Sequence, residues 1–506
     1  MNNLINNSVF FKNKLITILL IISIWLGIYR IIPFFDVNIA FGYDPWIYRF
    51  MFMDYINNLP NIDFDNLNSY TRWWLALYLW NFVNILYIIW FNVDDLLSFG
   101  LWFFSLITWV FIYLNLKKHS KITGIIGVML FMISVIQYKS FGMNYYKQII
   151  WVIFFLSIFF LLERKKYLLS LPLIISVFTV HRPSGLFFLI VFIAYKIFDY
   201  FKYRTEKKFL EKNINKKWYS EKIKNIKFWI KDWIIVLLSW LIALLMYLPL
   251  FQELILNLIK PLVTTIASSS SSWSFFSIAD FIKYNYLFII IGLYWFYLKF
   301  KNKDFDYIFI WYLVWVLWTI LKLFFYNRFL IFFDIFLILL AAYFFGVIFK
   351  ENKKIFYFLF ISFFFLQSYI YYNYVSSNNK AEISQIELDN IKKINTLIPE
   401  NSYLMVNSKS RSPWLAWYTL KPVIAPGLFE YDVLWLEWWK KWWFWNWKIK
   451  CEILKEHYGK LDRPIYFWKT KFRLWNKLYD ENLKWWNCFE KTNLRWDTFT
   501  LYKINL

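Results

Sequence analysis

Eleven apolar runs recur along this chain, separated by connectors that are alternately lysine-rich and neutral. In hydrocarbon each backbone amide has to find its partner inside the protein, so this pattern leaves a bundle of helices as the workable fold. The runs cover 15–34, 98–116, 122–138, 148–162, 167–180, 185–200, 233–250, 286–299, 308–325, 329–349 and 355–374. Several are shorter than the ~20 residues of an upright span, so flanking aromatics complete them at the headgroup level. Hydrophobic residues make up 60% of the chain, against roughly 45–50% for a soluble domain, so lipid is its main solvent. The expected fold is a polytopic α-helical membrane protein of about 11 transmembrane helices, residues 1–374, followed by an α/β domain, residues 375–506.

The net charge of +24 would suggest nucleic acid on a soluble protein, but the cations gather in the connectors, where membrane topology explains them. No nucleic-acid partner is expected. Lys117, Lys118 and Lys121, then Arg164, Lys165 and Lys166, then Lys299, Lys301 and Lys303, then Lys350, Lys353 and Lys354 fall in alternate connectors. The connector 201–231 carries eleven Lys and Arg against three Glu, an excess that resists translocation. With these turns in the cytoplasm, the N-terminus is cytoplasmic and the C-terminal domain lies on the extracytoplasmic face of the cell membrane. Segment 73–92 is apolar, yet a crossing there would invert every later basic turn, so it reads as interfacial or re-entrant. The first run lacks a small-residue cleavage pattern and reads as a retained anchor.

The outer loop 36–72 holds Phe41-Gly42-Tyr43-Asp44-Pro45-Trp46-Ile47-Tyr48-Arg49 and ends at Arg72. Asp44 before Pro45 is a common helix start, and the same carboxylate can face a substrate. Other outer connectors carry cations that topology disfavours there: Lys147 before the fourth run, His181-Arg182 between the fifth and sixth, and Arg328 before the tenth. Each alone could snorkel to lipid phosphate. Together they suggest a phosphate pocket gripped by arginine forks and a lysine point charge. Asp334, less than two turns beyond Arg328, requires a buried partner or a polar cavity. Asp94 and Asp95 read as a helix cap, with a metal role as the alternative. HExxH, Walker and dinucleotide patterns are absent, which leaves zinc hydrolysis and ATP-driven pumping unsupported.

This layout resembles the GT-C superfamily of integral-membrane glycosyltransferases. Asp44-Pro45-Trp46-Ile47-Tyr48-Arg49 is similar to the Asp-Pro-aromatic...Tyr-Arg motif in the first loop of oligosaccharyltransferase catalytic subunits, and Arg328-Phe329-Leu330 resembles the opening of a late span in the mannosyltransferase and arabinosyltransferase branches. The peptide-binding Trp-Trp-Asp-Tyr-Gly motif of the oligosaccharyltransferases is absent. The resemblance therefore implies a generic member that moves one sugar from a polyprenyl-phosphate donor to a hydroxyl of a glycan, lipid or protein acceptor, with inversion. Asp44 would be the base, Lys147, His181, Arg182 and Arg328 would bind the donor phosphate, and Tyr48, Arg49 and Arg72 would support them. A divalent cation is left open, because a second carboxylate for it is not obvious. The alternatives are an O-antigen-type polymerase or ligase, which usually places its large loop between late spans, and a lipid-linked sugar transporter or flippase. No repeated halves and no Gly/Pro-broken helix pair favour the latter.

In the outer domain, Ala381–Leu397 reads as an amphipathic helix, Tyr403–Asn407 as a strand, and Ser412–Gly427 as strand and turn. Cys451 and Cys488 both fall here, as a disulfide or as two buried thiols. Tryptophan is abundant where it has little to do. The chain has 32 Trp and 11 Gly, and the two counts together lie near, and slightly above, an ordinary glycine share of about 7%. Trp435, Trp438, Trp439, Trp442, Trp443, Trp445 and Trp447 crowd one basic stretch, and Trp475 and Trp496 occupy contexts suited to glycine. These positions suggest UGA codons meant as glycine and rendered as tryptophan.

Overall fold

The computed structural model describes residues 16–30, 45–57, 93, 97, 101–142, 146–180, 182–211, 216–246, 277–301, 307–321, 327–378, 383–406, 411–421, 423–425, 451–452, 454–456, 463–470, 488–496 and 499–505. The chain divides into two compact units. One comprises Met1–Asp36, Leu75–Ile85 and Phe99–Lys380, and the other Val37–Trp74, Leu86–Ser98 and Ala381–Leu506. Composition alone places the divide at residues 374 and 375, whereas most of the outer loop groups with the C-terminal residues. Segment 73–92 and the pair Asp94 and Asp95 lie outside the described residues.

The first unit is helical wherever it is described in the apolar runs. It holds α1 (Ile16–Arg30), and then α3 (Leu101–Leu116), α4 (Lys121–Met132), α5 (Val135–Gly142), α6 (Tyr146–Glu163), α7 (Tyr167–Val180), α8 (Arg182–Glu211) and α9 (Lys216–Met246). It continues with α10 (Ile278–Lys301), α11 (Tyr307–Ile320), α12 (Leu330–Glu351) and α13 (Lys353–Asn378). Among the described residues four helices are long and apolar enough to cross a membrane, or five with α4 and α5 taken as one bent span. Helix α12 lies at the centre, buried from Leu330 to Ala342. Helix α13 turns Phe358, Phe365 and Tyr369 outward, as a lipid-facing helix does.

Lipid tails are as apolar as these side chains, so close packing and polar contacts must hold the helices together. Gly346 on α12 and Gly127 on α4 have no room for a Cβ, which would strike Thr123 and Leu116 respectively. Aromatic stacking does the rest: Trp315 lies flat on Phe333 at 3.5 Å between ring centroids, and Phe159 on Tyr307 at 4.5 Å.

The basic turns gather at one end. Lys118 pairs with Glu163 at 2.8 Å, and Lys350 donates to the His119 carbonyl at 2.9 Å. Lys299 sits over the Tyr343 ring at 5.8 Å, and His119 packs edge-on against that ring at 4.3 Å. These contacts join the ends of α3, α6, α10 and α12.

Two expectations need correction here. The run 122–138 is not one straight span: α4 and α5 meet at a 56° bend, because Ser134 caps α5 by accepting from the Gln137 amide at 3.1 Å. The stretch 201–231 is not a loop in its described parts. α8 runs on to Glu211 and α9 begins at Lys216, since Lys and Glu are good helix formers. The two helices are tied by the Lys196–Asp232 ion pair and by Phe192 against Trp233 at 5.3 Å.

The second unit contains α2 (Pro45–Asn57), α14 (Gln385–Leu397), α15 (Ser412–Thr419) and a five-stranded sheet. Its strands are β1 (Tyr403–Val406), β2 (Val423–Ala425), β3 (Ile465–Thr470), β4 (Phe489–Trp496) and β5 (Phe499–Ile504), in the order β2-β1-β3-β5-β4. β1 runs parallel to β2 and β3, while β5 is antiparallel to β3 and β4. Ser384 and Glu387 form a capping box that starts α14 as the amphipathic pattern predicts. Ser412–Thr419 is a helix and not a strand: Pro413 occupies a first-turn position, where a missing N–H costs nothing, and Trp414 and Leu415 bury as a helical pair. Cys451 and Cys488 are joined as a disulfide with Cα atoms 6.0 Å apart.

Candidate functional site

The cations singled out in the sequence share one structural position, the start of a helix. Lys147 lies in the first turn of α6, Arg182 opens α8, and Arg328 occupies the turn that leads into α12. A helix start offers unpaired N–H groups and a partial positive charge, so a cation beside it deepens an attraction for anions. Aromatic contacts pin these three starts to one another. Trp151, one turn beyond Lys147, meets Phe332 at 4.2 Å and Phe187 at 6.1 Å. Phe187, in the second turn of α8, meets Phe329 at 5.3 Å, and Phe329 directly follows Arg328. Trp318, near the end of α11, closes the cluster against Phe187 and Phe329 at 5.7 and 5.4 Å. Lys147 is buried and Arg328 half-buried.

Asp44, His181 and Arg72 lie outside the described residues, and Arg182 is described by its backbone alone. Helix α2 begins at Pro45, as the Asp-Pro pair predicts. It buries Tyr48, Met51 and Phe52 and packs on α15. Arg49 lies over the Tyr418 ring at 5.2 Å, within the same unit. Tyr48 is thus a packing residue of α2, and Arg49 is held by an aromatic face. No group of three or more His, Cys, Asp or Glu able to hold a metal ion occurs among the described residues.

Deeper in the helical unit lies a polar core built around the α4–α5 bend. Asp334 on α12 is fully buried and accepts from Ser134 Oγ at 2.6 Å, Gln137 Nε2 at 2.9 Å and Asn285 Nδ2 at 2.6 Å. Gln137 also donates to the Ile331 carbonyl at 2.9 Å. On the other side of the bend, fully buried Arg30 donates through Nη1 to the carbonyls of Phe131 and Met132 at 2.9 and 3.2 Å. The logic is electrostatic: the carbonyl end of α4 carries partial negative charge and meets a guanidinium, while the amide end of α5 carries partial positive charge and meets a carboxylate through Ser134. Gln367 donates to the Ile133 carbonyl at 3.5 Å and to that of Tyr284 at 3.3 Å.

Sequence reasoning found Asp334 and its need for partners but missed Arg30, Ser134, Gln137, Asn285 and Gln367. The available signal was an arginine and two glutamines inside apolar runs and an asparagine at the edge of another, each costly in hydrocarbon without a partner. Neither a family model nor a curated protein matches this chain.

Proposed function

We propose that the chain is an integral-membrane glycosyltransferase that takes a sugar from a polyprenyl-phosphate donor and passes it to a hydroxyl acceptor. The supporting observation is the pinned set of cationic helix starts, Lys147, Arg182 and Arg328, which suits the phosphate of a lipid donor. The lysine point charge and arginine forks would stabilise the phosphate as the bond from the anomeric carbon to its oxygen breaks. His181 would add a hydrogen bond. Asp44 would accept the proton of the acceptor hydroxyl as its oxygen bonds to the anomeric carbon, and attack opposite the leaving group would invert that centre. Residues 1–374 would supply about 11 spans. The C-terminal α/β domain would stand outside the cytoplasm, as its disulfide favours.

The test is turnover of a polyprenyl-phosphate sugar by purified protein. Asp44→Asn should abolish transfer while donor binding persists, and Arg328→Gln should weaken donor binding. Full transfer by Asp44→Asn would overturn the assignment. The bent α4–α5 span with its buried charges favours a second reading, transport of a lipid-linked sugar, because half-helix ends inside a bundle are a common transporter site. Movement of the substrate across vesicles with no transfer would select it.

A further inference from the structure

Three of the helices long and apolar enough to cross a membrane have one end in the same place. α10 finishes at Lys301, α12 at Glu351, and α13 begins at Lys353. Lys299 over the Tyr343 ring at 5.8 Å, and Trp295 against that ring at 4.9 Å, hold the end of α10 on α12. Lys350, donating to the His119 carbonyl at 2.9 Å, brings in the turn between α3 and α4, and Lys118 on Glu163 at 2.8 Å brings in the end of α6. With 22 to 26 residues at about 1.5 Å each, the three helices match the ~30 Å hydrocarbon core and leave their ends at the depth of the lipid headgroups.

Each of these turns is basic, and its cations reach solvent. Lys117 and Lys121 in the first turn, Arg164 after α6, Lys301 at the end of α10, and Lys353 and Lys354 at the start of α13 are all exposed. The acids in these turns are Glu163, already paired with Lys118, and Glu351. Rings lie beneath the cations: Arg164 stands 3.6 Å from the Phe160 centroid, Lys117 5.8 Å from that of Tyr113, and Lys353 6.0 Å from that of Phe349. One turn further into the apolar length, Tyr297 follows back from Lys301 and Phe358 follows on from Lys354, and both rings are more than half exposed. A cation one turn above an open aromatic flank fits a molecule with a charged head and an apolar tail, whereas a soluble polyanion would leave that flank uncovered.

We propose that this basic end of the bundle binds anionic phospholipid, with headgroup phosphates on the exposed lysines and arginine and acyl chains along Tyr297 and Phe358. The surface is separate from the cationic helix starts, because Lys147 and Glu163 stand at opposite ends of α6, and Arg328 and Glu351 at opposite ends of α12. It does not rest on the glycosyltransferase reading. Attraction of a lysine to an anionic leaflet fades within a Debye length, so turns tied into one rim act together.

The test is a titration of the full chain in neutral detergent with dioctanoyl phosphatidylglycerol or dioctanoyl phosphatidylcholine, bound lipid being counted by native mass spectrometry. Phosphatidylglycerol should bind at least about tenfold more tightly, and the preference should shrink as salt is raised. Lys117→Gln/Lys121→Gln/Lys353→Gln/Lys354→Gln spares Lys118 and Lys350, which join the turns, and should lose the preference. Lys147→Gln/Arg328→Gln should keep it. Equal affinity for the two lipids, or an unchanged preference in the fourfold variant, would overturn the proposal. Loss of the preference in Lys147→Gln/Arg328→Gln would place the lipid phosphate at the helix starts and overturn it as well. Polyuridylate that displaces saturating phosphatidylglycerol would mark the rim as a site for a soluble polyanion instead. If the fourfold variant fails to fold, the salt series on the wild type decides, and a preference unchanged between about 0.05 and 0.5 M salt counts against the surface.

Discussion

Ser134 donates its hydroxyl to Asp334 at 2.6 Å across 200 residues of chain. That bond sets the bend between α4 and α5 against the central helix, and it makes Asp334 a structural keystone whatever the ligand. Asp334→Leu should therefore lower stability by about 1–3 kcal/mol for each strongly stranded donor, measured as loss of folded protein in detergent denaturation. Asp334→Asn should cost less, because the amide oxygen still accepts. Equal losses in the two variants would show that shape and not hydrogen bonding matters at this position.

The contact of Gly346 with Thr123 brings α12 and α4 to close approach. Gly346→Val should destabilise the bundle by about 1–3 kcal/mol through overpacking. Adding Thr123→Ala should restore part of that loss in the same denaturation assay, since it removes the side chain that the new methyl groups meet.

The Cys451–Cys488 disulfide closes a separation of 37 residues. Cys451→Ser/Cys488→Ser should cost the C-terminal domain about 3–4 kcal/mol, seen as faster limited proteolysis after residue 381. In intact cells a membrane-impermeant reductant and maleimide should label these cysteines. Residues 201–231 should stay protected from impermeant reagents. Labelling of a cysteine placed at Lys208 from outside would reverse the orientation.

Lys469 on β3 and Lys491 on β4 flank β5 opposite Thr500 and Tyr502, two positions apart and hence on one face of the sheet. Burial, and next the nearby Lys491 charge, hold the Lys469 ammonium below its ordinary lysine value. A group whose folded value is lowered binds its proton less tightly in the fold than in the unfolded chain. Stability of this sheet therefore rises as pH climbs from the folded value of Lys469 toward that of free lysine, and the penalty is fully present below both. Lys491→Gln should stabilise the domain at pH ~7, with the gain over wild type shrinking as the pH approaches ~10. Thermal melts across that range read the difference directly.

The crowded tryptophans at 435–447 lead us to expect glycine at those positions in the protein made by its native host. Mass spectrometry of native peptides spanning Trp435–Trp447 should find glycine there. Tryptophan throughout, or UGG at every such codon, would end the idea.

The helical nature of the apolar runs, the basic turns, and the start of α2 at Pro45 were legible in the chain itself, because each depends on local composition: lipid solvent, charge cost, and the fixed φ of proline. Asp334 announced its need for partners for the same reason. Which residues answered it was a different matter. Ser134, Gln137 and Asn285 lie far from Asp334 in sequence, and no periodicity links them. The bend at Ile133 and Ser134 carries no glycine or proline to betray it, and Ser412–Thr419 looked like a strand until its burial showed otherwise. Composition alone could also not show that Lys147, Arg182 and Arg328 lie at helix starts whose neighbouring aromatics meet. Local rules report what each residue costs in its solvent, whereas the partners that meet those costs are brought together only when distant helices pack, and that is a property of the tertiary structure.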